Sequence, residues 1–177
     1  MIEGKIINLR AFEEADYPLL HKWNNDEDVT KYFRDPYPRS RKEEKKWFEK
    51  LLEDEDAKIF TIITKDNKPI GVIYFSKIDW RDRHARLSIL IGEKEEWGKG
   101  YGTDSILTLL TFAFKEMNLH RIELDVFKGH QSAIACYEKC GFKKEGERKE
   151  TYFLDGKYHN GYLMAIIDKE FKSRPDS

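Results

Sequence analysis

The sequence predicts an α+β (mixed α/β) fold in a single domain. Three observations lead to this prediction. Strand-like and helix-like stretches are mixed along the chain, and hairpin patterns occur both at residues 59–75 and at residues 151–167. A glycine-rich loop at residues 97–103 separates an apolar run from a long stretch with helical periodicity. A mixed order of elements with antiparallel hairpins is typical of α+β architecture.

Length and charge restrict the class of protein. The 177 residues fit one domain, which we place at residues 1–171, with residues 172–177 as a frayed tail. Lys and Arg total 32 and Asp and Glu total 33, so the chain lacks the basic excess that usually accompanies nucleic-acid or bulk membrane binding. There is no apolar run long enough to span a membrane and no apolar signal core, so we expect a cytoplasmic protein.

The first third of the chain predicts one short strand and two helices. A strand is expected at residues 5–9, and a helix with acidic residues in its first turn is expected to run through Trp23. Two prolines indicate a loop at residues 34–40. Ser40 and Glu43 match a capping box, which predicts that the second helix begins after Ser40.

The middle of the chain predicts a hairpin and a third strand. β-Branched residues favour a strand at residues 59–64, a turn follows at residues 65–68, and the returning strand covers residues 70–75. Gly71 in the returning strand indicates a bulge or the close approach of another backbone. The next strand is expected at residues 85–92, directly before the glycine-rich loop.

The last part of the chain predicts two helices, a strand and a terminal hairpin. The helices are expected at residues 103–118 and 131–140, with a strand at residues 121–127 between them. Gly141 stands where a left-handed residue commonly ends a helix. The two strands of the terminal hairpin are expected at residues 151–154 and 162–167.

The stretch Trp97-Gly98-Lys99-Gly100-Tyr101-Gly102-Thr103, here called the glycine loop, predicts an anion site. Three glycines let the backbone turn tightly and approach a ligand closely. The helix that follows adds unpaired N–H groups and the positive end of its dipole, an arrangement that most often binds phosphate. The spacing of a Walker-type loop is absent, and the loop lies too late in the chain for a dinucleotide fingerprint.

The two cysteines, Cys136 and Cys140, stand four residues apart and would share one helix face. The chain offers no second pair of ligands for a zinc site. We therefore expect two reduced, half-buried thiols, and no metal site is predicted.

Residues 130–142 read His-Gln-Ser-Ala-Ile-Ala-Cys-Tyr-Glu-Lys-Cys-Gly-Phe. This run resembles the motif of the GCN5-related N-acetyltransferases, the GNAT family, in which Asn-x-x-Ala and apolar residues precede Tyr-Glu-Lys-x-Gly-Phe. Residues 8–26 and 155–158 look like the branch that contains ribosomal-protein N-terminal acetyltransferases and bacterial spermidine acetyltransferases. With the glycine loop at the expected distance, the resemblance covers nearly the whole chain. The matching positions of the motif are Ala133, Tyr137, Glu138, Lys139, Gly141 and Phe142.

The resemblance implies an N-acetyltransferase that moves an acetyl group from acetyl-CoA to a primary amine by direct attack in a ternary complex. It also implies a central, mostly antiparallel sheet flanked by helices, with a V-shaped split between two parallel strands that holds acetyl-CoA. Backbone groups of residues 89–91 would pair with the pantetheine, and N–H groups of residues 98–103 would hold the pyrophosphate. The residues implied in coenzyme contact are Ile89, Leu90, Ile91, Trp97, Gly98, Lys99, Gly100, Tyr101, Gly102, Thr103, His130, Ala133, Tyr137 and Lys139.

The resemblance assigns the catalytic role to Tyr137, whose hydroxyl would point at the sulfur. Attack by an amine on the thioester expels a thiolate. Proton transfer from a phenol of pKa about 10 to the thiolate of a thiol of pKa about 8.5 is uphill by roughly 2 kcal/mol. The tyrosine therefore helps as the thiolate develops, or by hydrogen bonding to it.

Two positions depart from the family pattern. Trp97 replaces a Gln or Arg at the start of the loop, which should be tolerated because the loop holds phosphate through its backbone. His130 replaces an Asn that usually contacts the coenzyme. The imidazole could donate one hydrogen bond in its place, or it could face solvent.

The sequence does not identify a general base. An alkyl amine of pKa about 10.4 is mostly protonated at pH 7, so a proton has to be removed. Relatives often carry a glutamate on the strand before the loop, but Arg86 stands at that position, with Ser88 next on the same face. Candidates are Asp79, His84 and Asp125, and a chain of waters could serve instead.

The acceptor also stays open among a polyamine, an amino sugar, another small amine and a protein N-terminus. Acidic clusters at residues 26–28, at Asp35 and at residues 53–56 would attract a basic acceptor, although solvated surface charge is the favoured interpretation. We expect no nucleic-acid or membrane partner, and the resemblance is compatible with a homodimer. The alternative function is a CoA-binding regulatory or interaction module without turnover, suggested by the missing base and by the changes at Trp97 and His130.

Overall fold

A computed structural model describes residues 1–33 and 37–172 of the chain, and it confirms the predicted α+β class. The described strands are Ile2–Glu3 (β1), Ile7–Ala11 (β2), Lys58–Thr64 (β3), Pro69–Asp79 (β4), His84–Ile91 (β5), Arg121–Phe127 (β6), Lys143–Leu154 (β7) and Lys157–Ile167 (β8). The described α-helices are Tyr17–Asn24 (α1), Glu27–Thr30 (α2), Arg41–Glu53 (α3), Tyr101–Lys115 (α4) and Gln131–Lys139 (α5).

All of these strands lie in one sheet, in the order β1-β2-β3-β4-β5-β6-β8-β7. Neighbouring strands are antiparallel except for β5 and β6, which are parallel and are connected through α4. A parallel pair needs such a crossover connection, because a short turn can join antiparallel strands only. The mostly antiparallel sheet with one parallel pair, implied by the family resemblance, is confirmed.

Helices cover the sheet from both sides, and each side has its own apolar core. Ile106 and Leu109 of α4 and Ile134 of α5 pack with Ile73 of β4 in the larger cluster. The second cluster joins residues of α1 and α3 to the opposite face of β4 and β5, namely Leu20, Trp23, Phe48, Val72 and Leu90. Because side chains alternate along a strand, β4 and β5 contribute to both cores.

The N-terminal strand begins later than predicted. β2 covers Ile7–Ala11 instead of residues 5–9. The backbone N–H groups of Lys5 and Ile6 instead donate to the carboxylate of Asp104 on α4, at 3.3 and 2.7 Å. A buried carboxylate from a distant helix therefore sets where the strand begins, which no local pattern indicates.

The terminal hairpin is longer than predicted, because β7 begins at Lys143 and not at residue 151. Residues 143–150 are exposed and nearly all charged, so they lack the alternation that identifies a half-buried strand. They form a strand because β8 supplies the backbone pairing, from Lys143 with Ala165 to Leu154 with Lys157. The prediction for residues 151–154 was correct but incomplete.

Several local predictions are confirmed. The Glu43 N–H donates to Ser40 Oγ at 3.2 Å, and the Ser40 N–H donates to Glu43 Oε2 at 2.8 Å, which completes the capping box of α3. A Cβ atom on Gly71 would lie 2.1 Å from the carbonyl oxygen of Leu90, so another backbone does approach closely there. Gly141 has φ +98°, as a left-handed helix end requires.

Parts of two predictions fall on residues that the structure does not describe. The frayed tail lies outside the described residues from residue 173 onward, and so do residues 34–36 of the predicted loop, which include Asp35. Over the described part of the chain, no helix combines the length and the apolar character that crossing a bilayer requires.

Candidate active site

The split between β5 and β6 is the first feature of the candidate site. The two strands pair from His84 to Arg86 on β5 and from Arg121 to Glu123 on β6, and the described pairing stops there. On its other side, β5 stays paired with β4 as far as Ile91. From Leu87 onward, one edge of β5 is therefore open to an extended ligand that pairs with backbone groups.

The glycine loop follows β5 and turns into α4. Gly98 has φ +75° and Gly100 has φ +86°, which are conformations that favour glycine. Gly100 is the N-cap residue of α4, and within the described residues no side chain caps the helix start there. The first N–H groups of α4 are thus available to an anion, and the helix dipole favours that anion.

Side chains around the loop have specific structural contacts. The Trp97 indole Nε1 donates to the carbonyl oxygen of Ile91 at 2.8 Å, so Trp97 ties the start of the loop to the end of β5. The Lys99 ammonium lies 2.8 Å from Glu96 Oε2 and forms an ion pair with that carboxylate. The replacement of Gln or Arg by Trp97 therefore has a structural consequence that the sequence did not reveal.

The thiols of α5 join that helix to the first turn of α4. Cys136 Sγ lies 3.3 Å from Thr103 Oγ1, and Cys140 Sγ donates to the Thr103 carbonyl oxygen at 3.7 Å. Both cysteines are free, Cys136 half-buried and Cys140 buried. A hydrogen bond with Cys140 lowers the pKa of the Cys136 thiol to about 7. Cys136 is half-buried as predicted, whereas Cys140 is fully buried, and neither is among the residues that line the cavity described next.

A cavity of about 440 Å³, here called the central cavity, lies where β5 and β6 separate. Tyr137 of α5 contributes to its wall, as do Ser88 and Ile89 of β5. Much of the remaining wall is aromatic and comes from elements that are far apart in the sequence. These aromatic residues are Tyr32, Phe33, Trp47, Phe48, Tyr74, Phe127 and Tyr152.

Tyr137 of α5 and His130, the N-cap residue of that helix, both line the central cavity. Burial raises the pKa of the Tyr137 phenol well above its ordinary value, so this hydroxyl keeps its proton. The His130 ring packs 4.3 Å from the ring of Tyr32, and burial lowers the pKa of the imidazole. His130 is half-buried and lines the central cavity, which favours a role inside the site over the solvent-facing alternative.

Most of the remaining positions implied in coenzyme contact lie outside the central cavity. Ala133 is half-buried and packs against the larger core cluster, and Lys139 is exposed at the end of α5. Among residues 89–91 of β5, Ile89 and Leu90 line the cavity, whereas Ile91 packs on the core. The structure therefore groups the predicted residues into the open edge of β5, the glycine loop and the face of α5.

The charges of the central cavity are paired within the protein. Arg86 forms an ion pair with Asp125, and Arg148 Nη1 donates to Asp125 Oδ1 at 2.9 Å. Arg39 lies 3.6 Å from the buried Glu44. Asp125 was a candidate base, but two guanidinium groups stabilise its carboxylate as the acceptor of their hydrogen bonds.

The other two candidate bases, Asp79 and His84, lie at the turn between β4 and β5 and not in the wall of the central cavity. Asp79 Oδ1 accepts hydrogen bonds from the N–H groups of Arg81 and Asp82, at 3.0 and 2.8 Å. These contacts order the turn. Sequence reasoning therefore selected two titratable residues that the fold keeps out of the cavity.

The described acidic clusters also lie outside the central cavity wall. Lys94 pairs with Asp26 and Asp28, at 2.8 and 2.9 Å, which attaches α2 to the segment before the glycine loop. Asp56 accepts a hydrogen bond from the indole of Trp80 at 3.0 Å. These contacts agree with the favoured interpretation of the clusters as surface charge.

Comparison with known proteins identifies the family. The sequence model described as "Acetyltransferase (GNAT) domain" matches residues 7–143. The spermidine N(1)-acetyltransferase of Vibrio cholerae serotype O1 is 30% identical over 171 residues, which cover 96% of this chain and 98% of that protein. The spermidine N(1)-acetyltransferase of Escherichia coli K12 is 28% identical, covering 93% of this chain and 88% of that protein.

Solved structures agree with this assignment. The Vibrio cholerae spermidine N-acetyltransferase, in complex with CoA and spermine, superposes with a TM-score of 0.86 at 31% identity, covering 93% of this chain and 96% of that one. A GNAT acetyltransferase from Bacillus anthracis, at 24% identity, shares the fold with a TM-score of 0.82 over 96% of this chain and 99% of its own. The chain therefore belongs to the GNAT acetyltransferase family and is an acetyl-CoA-dependent N-acetyltransferase of primary amines.

Proposed function

We propose that the acceptor is an aliphatic polyamine of the spermidine type, acetylated on a primary amine inside the central cavity. The observation that carries this proposal is the aromatic wall beside Tyr137, to which Tyr32, Trp47 and Tyr74 contribute. Aromatic faces attract ammonium groups, by about 0.5–2 kcal/mol each depending on desolvation. The relatives named as spermidine N-acetyltransferases support the same acceptor class.

Acetyl-CoA supplies the acetyl thioester, and we assign its position to the open edge of β5 and to the glycine loop. Gly98 and Gly100 give the loop its backbone conformation, and the N–H groups up to Thr103 receive the pyrophosphate. A Cβ atom on Gly98 would meet no protein atom within 4 Å, so the space beside the loop is open to a ligand. We assign residues 1–171 as one acetyltransferase domain.

Tyr137 acts as a hydrogen-bond donor to the departing sulfur. Because burial raises the pKa of its phenol, complete transfer of the proton to a thiolate is less favourable than it is in water. A neutral phenol that donates a hydrogen bond stabilises the negative charge only as that charge develops. This contribution lowers the barrier without requiring that Tyr137 ever becomes a phenolate.

The acetyl group passes to the amine directly, in a ternary complex. A covalent acetyl-enzyme would need an activated nucleophile in the central cavity. Cys136 and Cys140 both face Thr103 on α4 and are absent from the described wall of the cavity. The amine is therefore the nucleophile that attacks the thioester.

The experiment is a screen for coenzyme A release with spermidine, spermine, an amino sugar, an aminoglycoside and a peptide with a free N-terminus. We expect the highest kcat/KM with a polyamine, and mass spectrometry of the amine should locate the acetyl group on a primary nitrogen. A tenfold or greater preference for the peptide or a sugar would contradict the acceptor assignment. Binding of acetyl-CoA without release of thiol by any amine would favour the non-catalytic module.

A further inference from the structure

The central cavity contains a titratable group whose basicity has no assigned role so far, the imidazole of His130, for which the family resemblance implies only a coenzyme contact. The acetylation of an amine requires a proton acceptor, because the nitrogen has to lose a proton as the C–N bond forms. Of the candidate bases suggested by the sequence, Asp79 and His84 lie outside the cavity wall, and Asp125 is held by two guanidinium groups. His130 is the remaining nitrogen base that faces the cavity within the described residues.

His130 is the N-cap residue of α5, and Tyr137 lies in the last turn of that helix. They are seven residues apart, which is about two helical turns or roughly 10 Å along the axis. Both contribute to the wall of the central cavity. Their side chains thus reach the same cavity from the two ends of α5.

The surroundings of His130 keep the imidazole uncharged and fixed in place. Its ring lies 4.3 Å from the ring of Tyr32, which stacks in turn on Phe127 at 5.3 Å. Burial lowers the pKa of the imidazole, and its position as the N-cap residue of α5 also disfavours a positive charge. Among the described residues, no carboxylate forms an ion pair with this ring. A neutral imidazole has one ring nitrogen free to accept a proton.

We propose that His130 is the general base of the reaction, a role that rests on the function proposed above. The amine nitrogen forms a bond to the acetyl carbon, and the bond from that carbon to sulfur breaks. The electron pair leaves with the sulfur, which receives a hydrogen bond from Tyr137. A proton from the attacking nitrogen passes to the imidazole of His130, directly or through one water, and then returns to solvent.

The other charged or titratable groups in and around the cavity wall do not perform this task. A protonated phenol is a far weaker base than an amine, and a guanidinium group has no acceptor lone pair, so neither can take the proton. The phenols are those of Tyr32, Tyr74, Tyr137 and Tyr152, and the guanidinium groups are those of Arg39, Arg86 and Arg148. Glu44 and Asp125 are engaged by these arginines. Cys136 has a thiol pKa of about 7, but its sulfur faces Thr103 on α4.

The test compares the wild type with His130→Asn, using acetyl-CoA and the amine with the highest activity in the screen. Asparagine is the family residue at this position, so the variant keeps a hydrogen-bond donor for the coenzyme and removes only the base. We expect kcat to fall roughly 100-fold, with KM for acetyl-CoA unchanged. A residue that merely contacted the coenzyme would instead change KM and leave kcat as it was.

The pH profile supplies a second readout. Below the pKa of the His130 imidazole, both the amine and the base are mostly protonated, so log kcat/KM plotted against pH should rise with a slope of about two. Above that pKa only the amine still has to lose a proton, and the slope should fall to about one. Because burial lowers the pKa of His130, the bend should lie below about pH 6.5. His130→Asn should show a slope of about one throughout. The bend should persist in Cys136→Ser, which removes the thiol that titrates nearby.

His159→Asn is the matched control. Its ring packs at 5.4 Å on Phe127, the ring on which Tyr32 stacks, but His159 is not among the residues that line the cavity. We expect wild-type kcat for this variant, and thermal denaturation should verify that both variants are folded. A wild-type kcat or an unchanged bend in His130→Asn would overturn the role of His130. Absence of turnover in the wild type would instead overturn the proposed function, and the base with it.

Discussion

The coenzyme region and the central cavity are built in different ways. The coenzyme region consists of the end of β5, the glycine loop and α5, and its candidate contacts are mainly backbone groups whose positions depend on Gly98 and Gly100. The central cavity shares β5 and Tyr137 of α5 with that region, and much of the rest of its wall consists of side chains from α1, α3, β4, β6 and β7. The first region depends on local backbone conformation and the second on tertiary packing. Substitutions in the two regions should therefore have separable effects on acetyl-CoA and on the amine.

The largest effect is expected where the two regions meet, at Tyr137. Tyr137→Phe removes the hydroxyl that stabilises the departing sulfur, so kcat should fall by on the order of 100-fold or more, with little change in KM for acetyl-CoA. The control is Tyr162→Phe, whose ring contacts Lys128 and Lys144 and does not line the cavity. Equal kcat for the two variants would remove Tyr137 from the mechanism.

The next largest effect is expected on stability, at Asp16, whose hydrogen bonds hold the segment that precedes α1. The buried Asp16 accepts hydrogen bonds from Arg10 at 2.7 Å and from Thr61 Oγ1 at 2.7 Å. Although desolvation opposes it, these bonds and one from the Glu13 N–H lower the pKa of Asp16. Asp16→Asn should reduce the free energy of unfolding by about 2 kcal/mol at pH 7, because it leaves a partly buried arginine unpaired.

The pH dependence of that loss follows from the direction of the pKa shift. The stabilisation by Asp16 is fully present above the pKa of an unfolded aspartate, about 3.9, and is lost as the pH falls through the lower pKa of the folded state. Urea denaturation should therefore give a constant difference between wild type and Asp16→Asn from pH 7 to 5, and a shrinking one below pH 4. Asp168→Asn, at a less buried carboxylate paired with His120, is a control that should cost less. A difference that grew at low pH would contradict the assignment.

A tenfold change in KM for acetyl-CoA is expected from a substitution in the glycine loop. Gly98→Ala places a Cβ atom at φ +75°, which costs about 1–2 kcal/mol, so the loop should relax and acetyl-CoA should have to restore its conformation. We expect KM for acetyl-CoA to rise about tenfold, with KM for the amine unchanged. Gly156→Ala is closely matched, since it has φ +73° and equally open surroundings in the β7–β8 turn. If both variants or neither raised KM, the loop would not hold the coenzyme.

The smallest effect is expected on KM for the amine alone. Tyr74→Leu removes one aromatic face from the central cavity, and KM for spermidine should rise about three- to tenfold, while KM for acetyl-CoA should stay constant. The control Tyr158→Leu makes the same change on β8, at an exposed ring outside the cavity. An altered KM for acetyl-CoA would indicate that the two regions are not separable in this way.

The same contrast explains how far the sequence could be interpreted. Glycine spacing, the capping box of Ser40 and Glu43, and the motif around Tyr137 are local patterns, and the fold class and the coenzyme loop follow from them. The wall of the central cavity is assembled from residues as distant as Tyr32 and Tyr152, so no local pattern indicates it. The bond from Trp97 to Ile91 and the strand at residues 143–150 likewise depend on partners that only the folded chain brings together.

The most direct test of direct transfer from acetyl-CoA to an amine is a matrix of initial rates of thiol release over both substrates. The two regions flank one cavity, and the described wall of that cavity includes neither cysteine. Double-reciprocal plots for acetyl-CoA and spermidine should therefore intersect, as a ternary complex requires. Parallel lines, together with protein that carries an acetyl group in the absence of amine, would contradict this account.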